Sequence, residues 1–362
     1  MKREKMSKIA IISDTHYGIR GDNSVIMDNT KLFLDNVFFP LIQSKKIDIV
    51  IHLGDLVDKR KNINYLTLKR MKDDFLNPLQ NNLKEIYFIA GNHDCVYKNT
   101  NDLNALTELL GAFTNFKCFT SAKEIELYNE KILLVPWITD SNRELSMQAI
   151  KTSKSRICMG HLQITGFEMY RGSVATHGDD RKLFEKFGTT LSGHFHHRSS
   201  DGLITYVGSH SQFTWADYGD SRGFHIFDLE TQELEFVENP YTLFSKVWYD
   251  DKDKKLIELL QVDPKAFSNK YVKIIVTNKT NPYWFDMYCE TVEKLNPLAV
   301  QIVEDHHNAV DLEDDKLVSE AESTVDIFKK YVAQMPDEGY NKQELETLLV
   351  DLYNQSQATM VD

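Results

Sequence analysis

Residues 47–58 read IDIVIHLGDLVD: an apolar, β-branched run, Ile47 to His52, that stops at a glycine and is followed by Asp55 and Asp58. Such a run predicts a buried strand that hands Asp55 to a short loop. The pattern recurs on both sides. KIAIISDTH (8–16) carries Asp14 and His16, EIYFIAGNHD (85–94) carries Asn92 and His93, RICMGH (156–161) carries His161, and TTLSGHFH (189–196) carries His194 and His196. Strand ends on one edge of a sheet converge in space, so ligands displayed there on short loops form a pocket. Carboxylates, imidazoles and an amide oxygen together suit Mn²⁺, Fe²⁺ or Zn²⁺ better than Ca²⁺, and the lack of thiolates argues against a structural zinc site. Gly54, Gly91, Gly160 and Gly193 stand just before these residues, where glycine lets the backbone turn sharply.

Further strands are expected at Lys131 to Val135, Leu203 to Val207 and Phe224 to Phe227. Helices are expected at Asp28 to Leu41, with Leu32, Val37 and Leu41 apolar, and at Tyr65 to Leu79, ending near Pro78. Early α/β alternation followed by a strand-rich stretch predicts a sandwich of sheets covered by helices. Asn239-Pro240 marks a boundary. Residues 241–303 repeat strands (Tyr271 to Thr277, Leu298 to Val303) around a helix near Trp284 to Leu295, which predicts a small α+β domain. In the tail, Val318, Ala321, Val325, Phe328, Val332 and Met335 form a heptad-spaced apolar seam. After a break at Pro336 to Gly339, Leu345, Leu348, Leu349 and Leu352 line a second helix. Helices this short need a surface to dock on.

A chain of 362 residues with 42% hydrophobic and 11% aromatic side chains holds two domains, or one with an appendage, and excludes wholesale disorder. No signal-peptide core and no run of about 20 apolar residues is present, which predicts a cytoplasmic protein with no membrane span. Cys95, Cys118, Cys158 and Cys289 are scattered and predict free thiols. The net charge of −12 at first disfavours an anionic polymer as partner. It is unevenly placed, however: residues 304–362 hold 15 acidic and 4 basic side chains, against 39 and 38 in residues 1–303. Lys59, Arg60, Lys61, Lys69, Arg70 and Lys72 make the densest basic stretch, directly after a candidate ligand, where it could lead a DNA backbone inward.

The motifs DxH, GDxxD, GNHD, GH and GHxH, in this order over residues 8 to about 230, resemble the calcineurin-like metallophosphoesterase superfamily. Within it, NALTELL (104–110), VPW (135–137), GHLQITGF (160–167), SGHFH (192–196) and YVGS (206–209) are similar to the SbcD (Mre-eleven) family of DNA-repair nucleases, including its shortened T-even phage members. The resemblance implies an α/β metallophosphoesterase sandwich (residues 1–240), a DNA-binding α+β capping domain (241–303), and an acidic linker with a helix-loop-helix (304–362) that binds an SbcC-type, SMC-like ATPase. Val325, Phe328, Val332, Leu345, Leu348 and Leu352 would make that contact.

Carried over by residue, the resemblance implies one cation held by Asp14, His16, Asp55 and His196 and a second held by Asp55, Asn92, His161 and His194, with Mn²⁺ favoured and Mg²⁺ possible. Two such cations, roughly 3.5–4 Å apart, neutralise phosphodiester oxygens and activate water for in-line attack. His93 would face the scissile phosphate, and Asp58, where cellular relatives carry histidine, is expected to pair with His93. Implied too are 3′-to-5′ duplex exonuclease and single-strand endonuclease activity in double-strand-break processing, recombination and replication, and a homodimer within a heterotetramer. Two alternatives are a dimetal phosphatase or cyclic-nucleotide phosphodiesterase, and a protein that mainly bridges DNA ends. His52 is expected in the core, His225 in a strand, and Asp94 and Cys95 in structural roles. His177, His197 and His210 are weaker candidates for contact with metal or substrate.

Overall fold

Every residue of the strand Lys8–Ile12 after Lys8 is apolar and buried, Ile9 and Ile11 on one face and Ala10 and Ile12 on the other. A strand apolar on both faces belongs inside a layered fold. The structure is a computed structural model that describes residues 7–304 and, beyond them, Val332, Lys342 and Leu345. In it this strand lies within a six-stranded sheet ordered Leu234–Glu238, Gly223–Asp228, Lys8–Ile12, Ile49–His52, Glu85–Ile89, Phe116–Phe119. The last four run parallel and the first two antiparallel. A second six-stranded sheet is ordered Ser199–Ser200, Ile204–Tyr206, Thr189–Gly193, Ile157–His161, Glu130–Val135, Lys123–Leu127, with its four central strands parallel.

Between the sheets, Ile9, Ile11, Ile49 and Ile51 meet Ile132, Leu134, Ile157 and Met159. Ala10, Ile12, Val50 and Phe88 face outward onto helical Phe33, Phe38, Phe75 and Leu79, while Leu133, Val135 and Cys158 are covered by Ile150, Phe184 and Phe187. The expected mixed α/β sandwich flanked by helices is thus observed. The short strands Phe116–Phe119, Lys123–Leu127 and Leu234–Glu238 were not expected, because their half-exposed, charged sequences lack an apolar run.

Both early helices differ from expectation. The second does not end near Pro78: Tyr65–Met71 continues through a π turn, Lys72–Leu76, into Asn77–Asn82. Proline inside a helix collides with the carbonyl four residues back. The wide turn, closed by the Asn77 N–H on the Lys72 carbonyl, absorbs that conflict. The same device precedes Pro40, where Ser24–Phe33 leads through Leu34–Phe38 into Phe39–Ser44. Each π turn adds a residue and rotates the buried face. The buried face is centred on Phe33, Leu34, Phe38 and Ile42; of the expected Leu32, Val37 and Leu41, the last two are partly buried against that core and Leu32 is 48% exposed.

Residues 241–303 form a parallel three-stranded sheet, Phe244–Asp250, Tyr271–Asn278, Ala299–Val303. The helix Pro282–Glu293, capped by Asn281, sets Phe285, Tyr288 and Val292 against Val272, Ile274 and Val276. Ile19, Ile26, Phe213, Leu243 and Phe244 share a cluster that ties this part to the preceding one. The four cysteines are free thiols. No helix among the described residues is long and apolar enough to cross a membrane. Of the tail positions expected to bind a partner, Val325, Phe328, Leu348 and Leu352 lie outside the described residues; Val332 and Leu345 are helical.

Candidate metal centre

Three strands of the first sheet and two of the second end at the same edge, and their loops are stitched together by the main chain. Asp14 N donates to Gly54 O (3.0 Å), His16 N to Asp55 O (3.0 Å) and Tyr17 N to Leu56 O (2.9 Å). Across the sandwich, His194 N donates to Asp14 Oδ1 (3.2 Å), and His161 Nδ1 donates to Leu53 O (2.7 Å). These bonds hold Asp14, His16, Asp55 and His194 at left-handed φ values of 52°, 42°, 56° and 90°. For non-glycine residues that conformation costs on the order of 1 kcal/mol or more each, a strain the surrounding structure must impose.

Of the four glycines expected to turn the chain, only Gly54 has a left-handed φ, 100°. The others are required by crowding instead: a Cβ on Gly91 would stand 2.1 Å from Asp55 Oδ1, with comparable collisions at Gly160 and Gly193.

The candidate ligands fall into two sets around Asp55. On one side, His16 Nε2 lies 3.0 Å from His196 Nε2 and 3.6 Å from Asp55 Oδ2, and both imidazoles lie 4.0 Å from Asp14 Oδ1. On the other, His161 Nε2 lies 3.3 Å from Asp55 Oδ2 and 2.9 Å from Asn92 Oδ1, which is 2.9 Å from His194 Nδ1. Asp14, His16 and His196, and Asp55, His161 and His194, can each hold a metal ion, and so can His16, Asp55 and His93. Ligand atoms sharing a cation at about 2.0–2.2 Å stand about 3–3.5 Å apart, close to these spacings.

Electrostatics give the same reading. With Nδ1–H committed to Leu53, His161 aims a lone pair at two oxygens, an arrangement that only a proton or a cation relieves. Burial alone would lower the His161 pKa, but Asp55 outweighs it and pushes it up to about 9. Asp55, although buried, is held well below the usual carboxylate range, chiefly by His161.

Asp94 is the structural centre of this edge. Its Oδ2 accepts from Asp55 N (2.9 Å) and Gly91 N (2.8 Å), and its Oδ1 from Leu56 N (2.9 Å) and Val57 N (3.3 Å). Burial and the Asp55 charge push its carboxyl up to about 6, against the pull of those N–H groups. Sequence reading reached only a general structural role, because the residue acts entirely on backbone groups that have no sequence signature.

The structure brings Asp58 and His93, expected to pair, into contact. His93 Nδ1 donates to the Asp58 backbone carbonyl (2.6 Å), while the Asp58 carboxylate faces His16 Nδ1 at 3.4 Å. The turn after Asp55 brings the Asp58 main chain to His93. A carbonyl contact leaves no trace in residue type.

Half of the basic stretch is neutralised. Lys59 pairs with Asp22 (2.7 Å), Lys69 with Asp73, and Arg70 with Asp28 (2.7 Å) and Asp74 (3.2 Å). No ion pair is found for Arg60, Lys61 or Lys72 among the described residues. The other histidines are placed elsewhere: His197 bonds Asp220 (2.8 Å), and His177 is exposed on a loop. His52 and His210 are buried against Thr15 and Thr30, and His225 is buried in its strand.

Burial lowers His52, His210 and His225 each to about 3, so all three are neutral in the fold. Unfolding restores their ordinary value of 6.5, so the stability they contribute is full above that pH and drains as pH falls toward 3. By pH 5 each costs about 2 kcal/mol. His225→Gln should therefore lose about 2 kcal/mol less than the parent between pH 7.5 and 5.0 in urea titrations; equal losses would refute this linkage.

Residues 7–198 match the calcineurin-like phosphoesterase family. The chain belongs to that family. This calcineurin-like phosphoesterase is a metal-dependent hydrolase of phosphate esters, consistent with its two ligand sets. It is similar to Exonuclease subunit 1 of Enterobacteria phage T4, 31% identical over 333 residues that cover 91% of this chain and 93% of that protein. It is also similar to the SbcD component of the SbcCD nuclease of Staphylococcus epidermidis, 23% identical over 313 residues, 77% of this chain and 78% of that protein. The corresponding SbcCD component from Staphylococcus saprophyticus is 24% identical over 256 residues, 63% and 67% respectively.

Proposed function

We propose that this phosphoesterase is a DNA nuclease with two Mn²⁺ ions, a 3′-to-5′ exonuclease on duplex ends and an endonuclease on single strands. The observation that carries the reading is the pair of ligand sets that meet at Asp55, 3.6 Å from His16 and 3.3 Å from His161, in a chain similar along most of its length to three nuclease components. Asp14, His16, Asp55 and His196 would hold one ion, and Asp55, Asn92, His161 and His194 the other. When bound, the ions neutralise the phosphodiester and activate water.

The chain's own part is positioning and proton transfer. Asp55 Oδ1 accepts the His93 N–H (2.8 Å), which leaves Oδ2 between the two sets. His93 stands near enough to His16 and Asp55 to be a ligand, but the family resemblance gives it to the scissile phosphate instead. Its Nδ1–H is committed to the Asp58 carbonyl, which orients Nε2 so that the imidazolium would give its Nε2 proton to the leaving oxygen.

The same reading assigns residues 1–240 to catalysis, 241–303 to DNA capping and 304–362 to an SMC-like ATPase partner, in a dimer within a heterotetramer. The related proteins are themselves parts of multi-component nucleases by name, which supports a partner. Deleting residues 311–362 should abolish association with the ATPase and leave basal nuclease activity intact.

Because Lys59, Lys69 and Arg70 are compensated, DNA attraction in this stretch rests on Arg60, Lys61 and Lys72. Arg60→Glu with Lys61→Glu should weaken DNA binding and flatten its log–log salt slope by about 2, measured by titration at several salt concentrations. Lys59→Ala should change the slope far less. The deciding assay for the function uses the full chain with labelled duplex and single-stranded DNA and with para-nitrophenyl phosphate, in Mn²⁺ and Mg²⁺. DNA cleavage is expected. Turnover of para-nitrophenyl phosphate with none of DNA would give the site to a phosphatase.

A further inference from the structure

A cavity of about 220 Å³ opens beside the second ligand set, with His161 in the wall between them. Its other walls include Trp137, Gln163 and the Arg143–Asp179 pair. We infer that this cavity seats a nucleobase of the strand being cut, stacked against Trp137. The inference rests on the reading of the site as a nuclease and specifies how that site engages its substrate.

Size, charge and rigidity each bear on the occupant. The volume falls below the ~300–1,000 Å³ of pockets that take a whole drug-sized ligand, so one ring system fits and a complete nucleotide does not. The guanidinium of Arg143 lies 2.6 Å from Asp179 Oδ1, and the two charges cancel. The cavity therefore offers no net attraction to a phosphate, which the neighbouring cation sets would draw instead. What remains is a neutral, flat, polar group. Gln163 uses its Nε2 on the His177 carbonyl (3.3 Å), and its Oε1 is an acceptor for a base edge.

Trp137 is held ready. Its N donates to Ala90 O (2.8 Å), and its carbonyl accepts from Asn101 Nδ2 (2.8 Å) and Asn142 Nδ2 (3.0 Å). Its ring lies 4.9 Å from that of His194 and 6.0 Å from that of His161. A base on this indole would thus sit within one side chain of the reacting phosphate. Stacking is indifferent to base identity, as a nuclease without sequence preference requires.

The test is a cycle between the ring and the base. The full chain, its Trp137→Ala variant and its Trp137→Phe variant are assayed in Mn²⁺ on the 5′- and 3′-p-nitrophenyl phosphodiesters of thymidine and on the same diesters of abasic deoxyribose. Removing the base should lower kcat/KM of the parent about 10- to 100-fold, mainly through KM, on whichever ester places thymine in the cavity. Trp137→Ala should lose a similar factor on that thymidine ester, the two losses should not multiply, and Trp137→Phe should recover most of it. If the losses multiply, so that Trp137→Ala harms both sugars equally, the indole only supports His161 and His194 and the inference falls while the nuclease reading stands. If the parent hydrolyses none of these diesters and no DNA, the nuclease reading falls and takes the inference with it.

Discussion

Asp55→Asn should lower phosphodiester hydrolysis on the order of 10³-fold or more and reduce Mn²⁺ binding from two ions to at most one tight ion. The substitution keeps the shape of the side chain and one acceptor oxygen, so the His93 N–H can still be satisfied. What it removes is the negative charge between His16, 3.6 Å away, and His161, 3.3 Å away. With an amide there, each ligand set loses its anionic member on that side, and the pKa of His161 returns downward because Asp55 was what raised it. Calorimetric Mn²⁺ titration reads the stoichiometry independently of turnover. A variant that still bound two ions tightly and cleaved DNA at the parental rate would end the role given to Asp55.

The second large effect is expected at a residue outside both candidate ligand sets. Asp94→Asn should lower the free energy of unfolding by about 3–5 kcal/mol, measured by urea titration. The buried carboxylate accepts two N–H groups on each oxygen. An amide replaces one oxygen by a donor, and whichever way it is turned, two backbone N–H groups then face N–H; each unsatisfied group costs about 1–3 kcal/mol. Activity should fall as well, roughly 10²-fold, because the Asp55 loop is hung from this carboxylate and ångström-scale misplacement of a reacting group has that cost. A loss below about 1 kcal/mol would mean that the loop holds itself without Asp94.

Composition accounts for one feature that at first opposed a nucleic-acid substrate. The negative charge belongs mostly to residues 304–362, so the net of −12 does not describe the part that carries the candidate metal centre. Residue types also overstate the basic stretch, since Asp22, Asp28, Asp73 and Asp74 compensate three of its cations. Lys69–Asp73 and Arg70–Asp74 are i,i+4 pairs along one helix, whereas Arg70–Asp28 and Lys59–Asp22 form only when distant segments meet.

By itself the sequence determined the strands that end in candidate ligands, the layered α/β sandwich and the identity of the residues that gather at its edge. It could do so because those properties are local: an apolar run makes a strand, a strand end exposes the next side chain, and imidazole, carboxylate and amide are chemically legible one residue at a time. Only the tertiary structure decided that Asp58 meets His93 through a carbonyl, that Asp94 holds four N–H groups, and that π turns carry two helices past Pro40 and Pro78. It alone decided that Trp137 lines a cavity beside His161. Backbone groups are identical at every position and turn geometry is set by packing, so these contacts exist only once distant segments are brought together.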